Sequence, residues 1–418
     1  MTRAHTPPTL GERQPGAVPP SDPAADPAVV LRLDAASASP RDHRQLTGGW
    51  EPEVWLGAPA PGGLALPAAA PSRSWMYSPR GVFLGPDLLV VADSGNHRVL
   101  IWHGIPDCDE QPADVVLGQP DATGQGPAAS GRGPERGMYL PTGVLVHQGR
   151  LVVADAWHHR ILVWNEVPRT DDTAPDLVLG QPDVSSVEPN QGRDCSAATL
   201  YWPFGVGVVG DLFWVADTGN RRVLGWAGGI PDPGRPADVV LGQPDPTSRE
   251  ENRGQGVGPA SFRWPHAVTG RADTLLVADA GNHRVLGWTP LPRADTPAAT
   301  VFGQPGFDIA HEWPYGPQSA SVLRFPYAVC LDGGPGVDER LAVADTANNR
   351  VLLWDGLPSD GRGADYVLAQ PTFAANGENR WTAVDRDTLC WPYGLWLHRD
   401  RLAVADTGNN RVVIWRRY

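Results

Sequence analysis

The chain contains no lysine. All 34 of its basic positions are arginine, set against 47 acidic ones, for a formal net charge of −13. Without lysine there is no Schiff-base chemistry and no Walker-A phosphate grip. The acidic balance also argues against nucleic acid as a partner, because affinity for its backbone comes from clustered Lys and Arg. Arginine by itself can still hold a carboxylate or phosphate through two parallel hydrogen bonds. The four cysteines, Cys108, Cys195, Cys330 and Cys390, form no C-x-x-C and read as ordinary reduced thiols. No apolar run approaches the roughly 20 residues that a membrane span needs. The first residues carry no apolar stretch of the secretory kind, so a cytoplasmic protein without membrane contact is expected.

What the chain does have is a repeat. Close variants of Val-Ala-Asp-x-x-Asn-x-Arg-Val-Leu-x-Trp recur with their aspartates at Asp93, Asp155, Asp217, Asp279, Asp345 and Asp406, giving steps of 62, 62, 62, 66 and 61 residues. A fixed period of this size marks supersecondary units that bury their faces on one another. Within one unit, Pro141–Val146, Leu151–Asp155, Arg160–Trp164 and Asp176–Pro182 are short runs of β-branched and aromatic residues separated by turns. They read as a four-stranded meander, the blade of a β-propeller. The fold class is therefore all-β, a six-bladed propeller with blades near 79–120, 141–182, 203–244, 265–305, 326–371 and 392–418. The last copy stops after three strands, while Glu53-Val-Trp-Leu-Gly-Ala-Pro59 matches the fourth-strand pattern Asp114–Pro120 with nothing before it. Residues 53–58 are expected to complete the sixth blade and close the ring, which removes two open sheet edges. Residues 1–50, rich in Pro, Ala, Asp and Ser, read as a disordered arm ahead of a propeller spanning 52–418.

These blocks resemble NHL repeats, whose namesake pair stands here as Asn96-His97 and Asn282-His283, with Asn220-Arg221, Asn348-Asn349 and Asn409-Asn410 as variants. The Leu-Gly-Gln-Pro-Asp segments look like those of a bacterial subgroup of that family. The resemblance implies the propeller but not one function, because such propellers serve as ligand binders, docking platforms, RNA binders and enzymes.

The repeated Asp and Arg are expected to staple the hairpin between the second and third strands, with the Asp accepting N–H bonds in that turn. Gly95, Gly219, Gly281 and Gly408, with the neighbouring Asn, are expected to supply its positive φ. The repeated Trp reads as packing between sheets. Function is then sought where the copies differ. Five insertions (121–140, 183–202, 245–264, 306–325 and 372–391) crowd one face, and loops of this length are usually functional or disordered. Trp313, Tyr315, Arg380 and Trp381 within them are candidate contacts, being residue types that binding hot spots favour. The residues following each opening proline, Arg80, Thr142, Phe204, His266, Tyr327 and Tyr393, should ring the channel mouth, with Phe204 and Tyr327 equally suited to packing between blades. Among them Arg80, His266, Tyr327 and Tyr393 are the strongest candidates for ligand contact. No cofactor or metal is expected, because only His266 points at the channel and no Cys/His/Asp set has metal spacing. No nucleophile sits in a recognisable elbow, so no catalytic residue is assigned. The reading is a monomeric, non-catalytic scaffold docking a protein, or else a small molecule, on its insertion-rich face. The alternative is a lyase or hydrolase around His266.

Overall fold

The computed structural model describes residues 40–58, 71–313, 317–334, 337–358 and 362–418. All of these fall in one unit, Ala38–Tyr418. Five copies of the repeat each fold into one antiparallel sheet of four strands in chain order, the sixth supplies three strands of a further four-stranded sheet, and the six sheets form the six-bladed propeller. In the first blade the strands are Gly81–Leu84, Leu89–Asp93, Arg98–Trp102 and Val115–Leu117. The remaining inner strands are Pro141–His147, Pro203–Val209, Pro265–Arg271, Pro326–Gly334 and Pro392–His398. Apolar residues of neighbouring sheets pack face to face, as where Val90 and Ile101 share a cluster with Val152 and Val163 and then with Phe213 and Trp226. The six repeat tryptophans are at most 3% exposed.

The ring closes as its broken repeat phase implies. Trp50–Gly57 pairs antiparallel with Arg411–Arg417 and supplies the outer strand of the sixth blade. Arg401 and Arg416 bind the Glu53 carboxylate at 3.2 and 3.1 Å. Of the expected arm, residues 1–39 lie outside the described residues, while Pro40–Thr47 is a helix leading into the closing strand.

The repeated Asp and Arg do more than staple a hairpin. In every blade the Asp and Arg side chains are 0% exposed, and Arg Nε donates to Asp Oδ2 at 2.7–3.0 Å. The other carboxylate oxygen accepts a backbone N–H from 16 residues upstream, at Tyr77, Tyr139, Tyr201, Arg263 or Cys390, or from 21 upstream at Arg324. That donor belongs to the segment entering the blade, not to the turn where it was expected. The guanidinium reaches both ways along the chain. Arg222 Nη2 donates to the Ser196 and Thr199 carbonyls of the preceding insertion, and Nη1 to Pro246 in the following one. Five blades repeat this pattern. In the sixth, the residue equivalent to the following carbonyl falls in 59–70, outside the described residues.

The turn glycines are corrected as well. Positive φ falls one residue later than the Asn, at His97, His159, Arg221, His283, Asn349 and Asn410, with φ of 53–56°. Gly95 and Gly219 lie close against the entering segment, where a Cβ would stand 2.6 and 2.5 Å from the Tyr77 and Tyr201 carbonyl oxygens unless the backbone shifted. The insertions themselves are ordered on a shared template. Four of them place two consecutive left-handed residues at equivalent points, Ala128-Ala129, Asn190-Gln191, Asn252-Arg253 and Asn379-Arg380, and the first N–H of each donates to the carbonyl of Met138, Leu200, Phe262 or Leu389.

Removing one partner of a buried ion pair leaves an uncompensated charge, which typically costs about 3–5 kcal/mol. Arg222→Met is expected to lower the urea midpoint by that equivalent and to open the insertions on both sides of its blade to hydrogen exchange; protection confined to one side would contradict the two-way tie. Deletion of residues 1–57 is expected to yield soluble aggregates or insoluble protein, because it bares the Arg411–Arg417 edge. A monomer of unchanged melting temperature on gel filtration would overturn strand closure.

Candidate ligand-binding site

Five inner strands begin with a proline opposite the repeat Asp and then shift register by a bulge, whereas in the first blade Pro79 and Arg80 stand just ahead of Gly81–Leu84 and the Arg80 N–H donates to the Ala92 carbonyl. A bulge re-aims the extra side chain, here the residue after the proline. The next position is Gly or Ala (Gly143, Gly205, Ala267, Gly394), and a Cβ on Gly143 or Gly394 would stand 2.4 Å from the carbonyl oxygen of Phe204 or Arg80. The inner strands therefore touch backbone to backbone. The side chains just before that contact have room only at the mouth. Arg80, Thr142, Phe204, His266, Tyr327 and Tyr393 all line one cavity there. Trp396, packed on Phe83 at 4.7 Å, belongs to the walls of both this cavity and the one on the opposite face, and so forms the floor between them.

The mouth residues are joined by ring contacts. Phe204 and His266 lie 4.5 Å apart, His266 stacks on Tyr327 at 4.4 Å and 18°, and Tyr327 meets Tyr393 at 4.4 Å. The Arg80 guanidinium stands 5.1 Å from the Tyr393 ring centre, completing the arc by a cation–π contact. From this arc a lobe of about 350 Å³ runs outward between the third and fourth blades to Trp202, Trp264 and Arg221. Among the described residues, neither the mouth nor the lobe is lined by an aspartate or glutamate.

His266 Nδ1 lies 3.0 Å from the Trp264 carbonyl oxygen, which can only accept, so Nδ1 carries the proton. Burial pushes the imidazole down to about 4; the Trp264 carbonyl opposes this and the Arg80 charge adds to it. The ring is neutral at physiological pH. Burial and then the neighbouring Tyr393 hydroxyl raise the Tyr327 phenol, which stays protonated.

The candidates named from the sequence separate into two groups. Arg80, His266, Tyr327 and Tyr393 converge on the bowl, and Phe204 belongs to its wall as well as touching His266. Trp313, Arg380 and Trp381 do not line it. Arg380 is held inside its own insertion by the Asp387 carboxylate (2.7 Å) and the Ala369 carbonyl. Trp313 is half-buried beside His311, Trp381 is 75% exposed, and Tyr315 lies outside the described residues.

Arg221 escaped the sequence reading. Its counterparts His97, His159, His283, Asn349 and Asn410 each accept the backbone N–H of the residue before the next opening proline, holding that residue left-handed. Arginine cannot accept. The Trp264 N–H turns instead to Asp279 at 3.3 Å, Trp264 is not left-handed, and the Arg221 side chain lines the lobe. The signal was visible as Asn220-Arg221, an arginine where every other copy carries His or Asn.

No known family profile matches the chain, and no curated protein matches it. Among solved structures it is similar to virginiamycin B lyase from Staphylococcus aureus, at 10% identity over 83% of this chain and 97% of that one (TM-score 0.42). It is also similar to a protein of unknown function from Bacteroides thetaiotaomicron, at 11% identity over 88% and 75% (TM-score 0.46). A third is the WD40 propeller domain of Doa1, at 11% identity over 88% and 98% (TM-score 0.43). Likeness at this level bears on neither chemistry nor partner. Among the described residues no helix is long and apolar enough to cross a membrane, and no group of three or more His, Cys, Asp or Glu is placed to hold a metal ion.

The histidines make stability pH-dependent. Burial pushes His159, His266 and His283 down to about 4 from an ordinary 6.5. Between those values the unfolded chain takes up protons that the folded one does not, so their stabilising contribution is full above 6.5 and is lost as pH falls towards 4. The slope approaches about 1.4 kcal/mol per pH unit for each such histidine. His159→Asn with His283→Asn keeps the acceptor, as Asn349 and Asn410 do, and should flatten the acid limb of melting temperature against pH. An unchanged limb would show that other groups carry it.

Proposed function

We propose that this chain is a non-catalytic binding propeller that receives its partner on the insertion-bearing face, with the aromatic bowl at the channel mouth as the recognition point. The observation that carries this reading is the bowl's composition. A continuous arc of rings ends in a guanidinium, with no carboxylate in the wall. Such a surface offers stacking area and one fixed charge, the usual makeup of a recognition pocket: mostly apolar, with few polar groups. Catalysis is less well served. A buried imidazole at about 4 is a weak base at neutral pH, and the remaining lining offers no acid of matching strength. The Asn-His pairs and the Leu-Gly-Gln-Pro segments support placing the chain with NHL-type propellers. Trp381, standing out from the same face, supports a protein as the larger partner.

A fragment set of flat molecules tested by ligand-observed NMR should give binders on the wild type that are lost in Tyr327→Ala/Tyr393→Ala. Mass spectrometry should recover each binder unchanged after prolonged incubation. Chemical turnover abolished by His266→Gln would favour a lyase or hydrolase instead. Binders that persist in the double variant would move the site elsewhere.

A further inference from the structure

We infer that the ligand of this bowl is a carboxylate carried on a flat aromatic body, an inference that rests on the bowl being the binding site. Arg80 is the reason. Each of the six repeat arginines holds a carboxylate and backbone carbonyls, and of their nitrogens only Arg411 Nη1 is left without a partner among the described residues. Many surface arginines are paired too, such as Arg132 with Asp172 and Arg386 with Asp109. The half-buried Arg80 is different, and although Arg150 likewise has a buried Nε without a partner, only Arg80 of the two lines the bowl and its lobe. Among the described residues its side chain has no hydrogen bond or ion pair, its Nε is buried without a partner, and its one contact is the face of Tyr393. A guanidinium partly removed from water beside stacked rings, in a wall without acids, lacks its anion.

The surroundings narrow that anion to one negative charge. The chain has no lysine, and His266 is neutral and adds no cation. Arg221, at the far end of the lobe, already spends Nη1 on the Gly219 and Arg249 carbonyls at 3.3 and 3.2 Å. One planar two-pronged donor matches a carboxylate, whereas a phosphate dianion generally draws several cations or a nest of backbone N–H groups. The body of the ligand is set by the rings. Phe204, His266, Tyr327 and Tyr393 follow one another with ring centres 4.4–4.5 Å apart, stacked at His266–Tyr327 and tilted at the other two steps, leading to Arg80, and Trp202 extends the series edge-on from Phe204 at 6.4 Å. The lobe's volume of about 350 Å³ falls at the small end of ligand pockets, which run roughly 300–1,000 Å³. A free aromatic acid fits this chemistry, and so does the carboxyl terminus of a peptide ending in an aromatic residue.

Calorimetric titration tests the assignment with indole-3-acetate, its neutral amide indole-3-acetamide, phenyl phosphate, and the peptide Gly-Gly-Trp with a free or amidated terminus. The wild type should bind each free carboxylate at least tenfold more tightly than its amide, and phenyl phosphate more weakly than indole-3-acetate. Arg80→Met should erase the acid preference while leaving amide affinity in place, and Arg80→Glu should invert it. Both variants should fold, since the Arg80 side chain makes no protein hydrogen bond; the circular dichroism melt checks this. Gly-Gly-Trp binding above indole-3-acetate identifies a chain terminus as the source, the reverse identifies a free acid, and either supports the carboxylate. Equal binding of acid and amide, a preference for phosphate, or a preference that survives in Arg80→Met overturns the inference while leaving the bowl as a binding site. If no acid, amide or phosphate binds, and no flat fragment does either, the binding reading falls with it.

Discussion

A carboxylate and a guanidinium, both without solvent contact, sit at the same place in every blade, and the rest of the molecule is arranged around satisfying them. Burying such a pair is expensive unless the remaining donors and acceptors are also used. Here the Asp takes an N–H from the segment entering its blade, and the Arg donates to carbonyls of the insertions before and after it. Long loops that would otherwise cost conformational entropy are thereby held by groups that must be satisfied anyway. The hydroxyls of Ser94, Thr218, Thr346 and Thr407 carry the pattern from blade to blade by donating to the next opening proline's carbonyl. The Thr407 bond to Pro79 carries the same pattern from the last blade to the first, beside the Ser78 N–H bond to Asn410.

This lattice explains how the mouth can be specialised without weakening the ring. The proline and the small residue two positions on are common to all six blades and the bulge to five, so the side chain between proline and small residue lines the mouth whatever its identity. That position is free to be Arg in one blade, His in another and Tyr in two more. Arg221 shows what relaxing the lattice does. One hydrogen-bond acceptor is replaced by a donor, one left-handed residue is released, and the lobe opens there.

Much of this was legible from residue pattern. Period, blade strands and the phase mismatch between Glu53–Pro59 and the last copy led to the closed six-bladed ring, because each depends on local alternation and on a count. The ring of mouth residues was legible too, since it follows from strand direction alone. The roles of Gly95 and Gly219 were misread, because a steric demand from Tyr77 or Tyr201 arises between segments distant along the chain. Arg380 looked like a surface contact until its own insertion supplied Asp387. Arg221 passed as one more variant of a repeat whose acceptor role cannot be seen before the next blade is in place.

The sequence by itself determined the fold, the number of blades and the strand that closes them, because hydrophobic alternation and repeat spacing act over a few residues and do not wait for the rest of the chain. Only the tertiary structure decided which polar groups were used up and which were left over. Arg98 and Arg80 are the same residue type a short distance apart, yet one is saturated by Asp93, Ser72, Trp75 and Ala122 while the other has a tyrosine face and no anion. Hydrogen-bond satisfaction is settled by what packs around a group in space, and here that surplus marks the site.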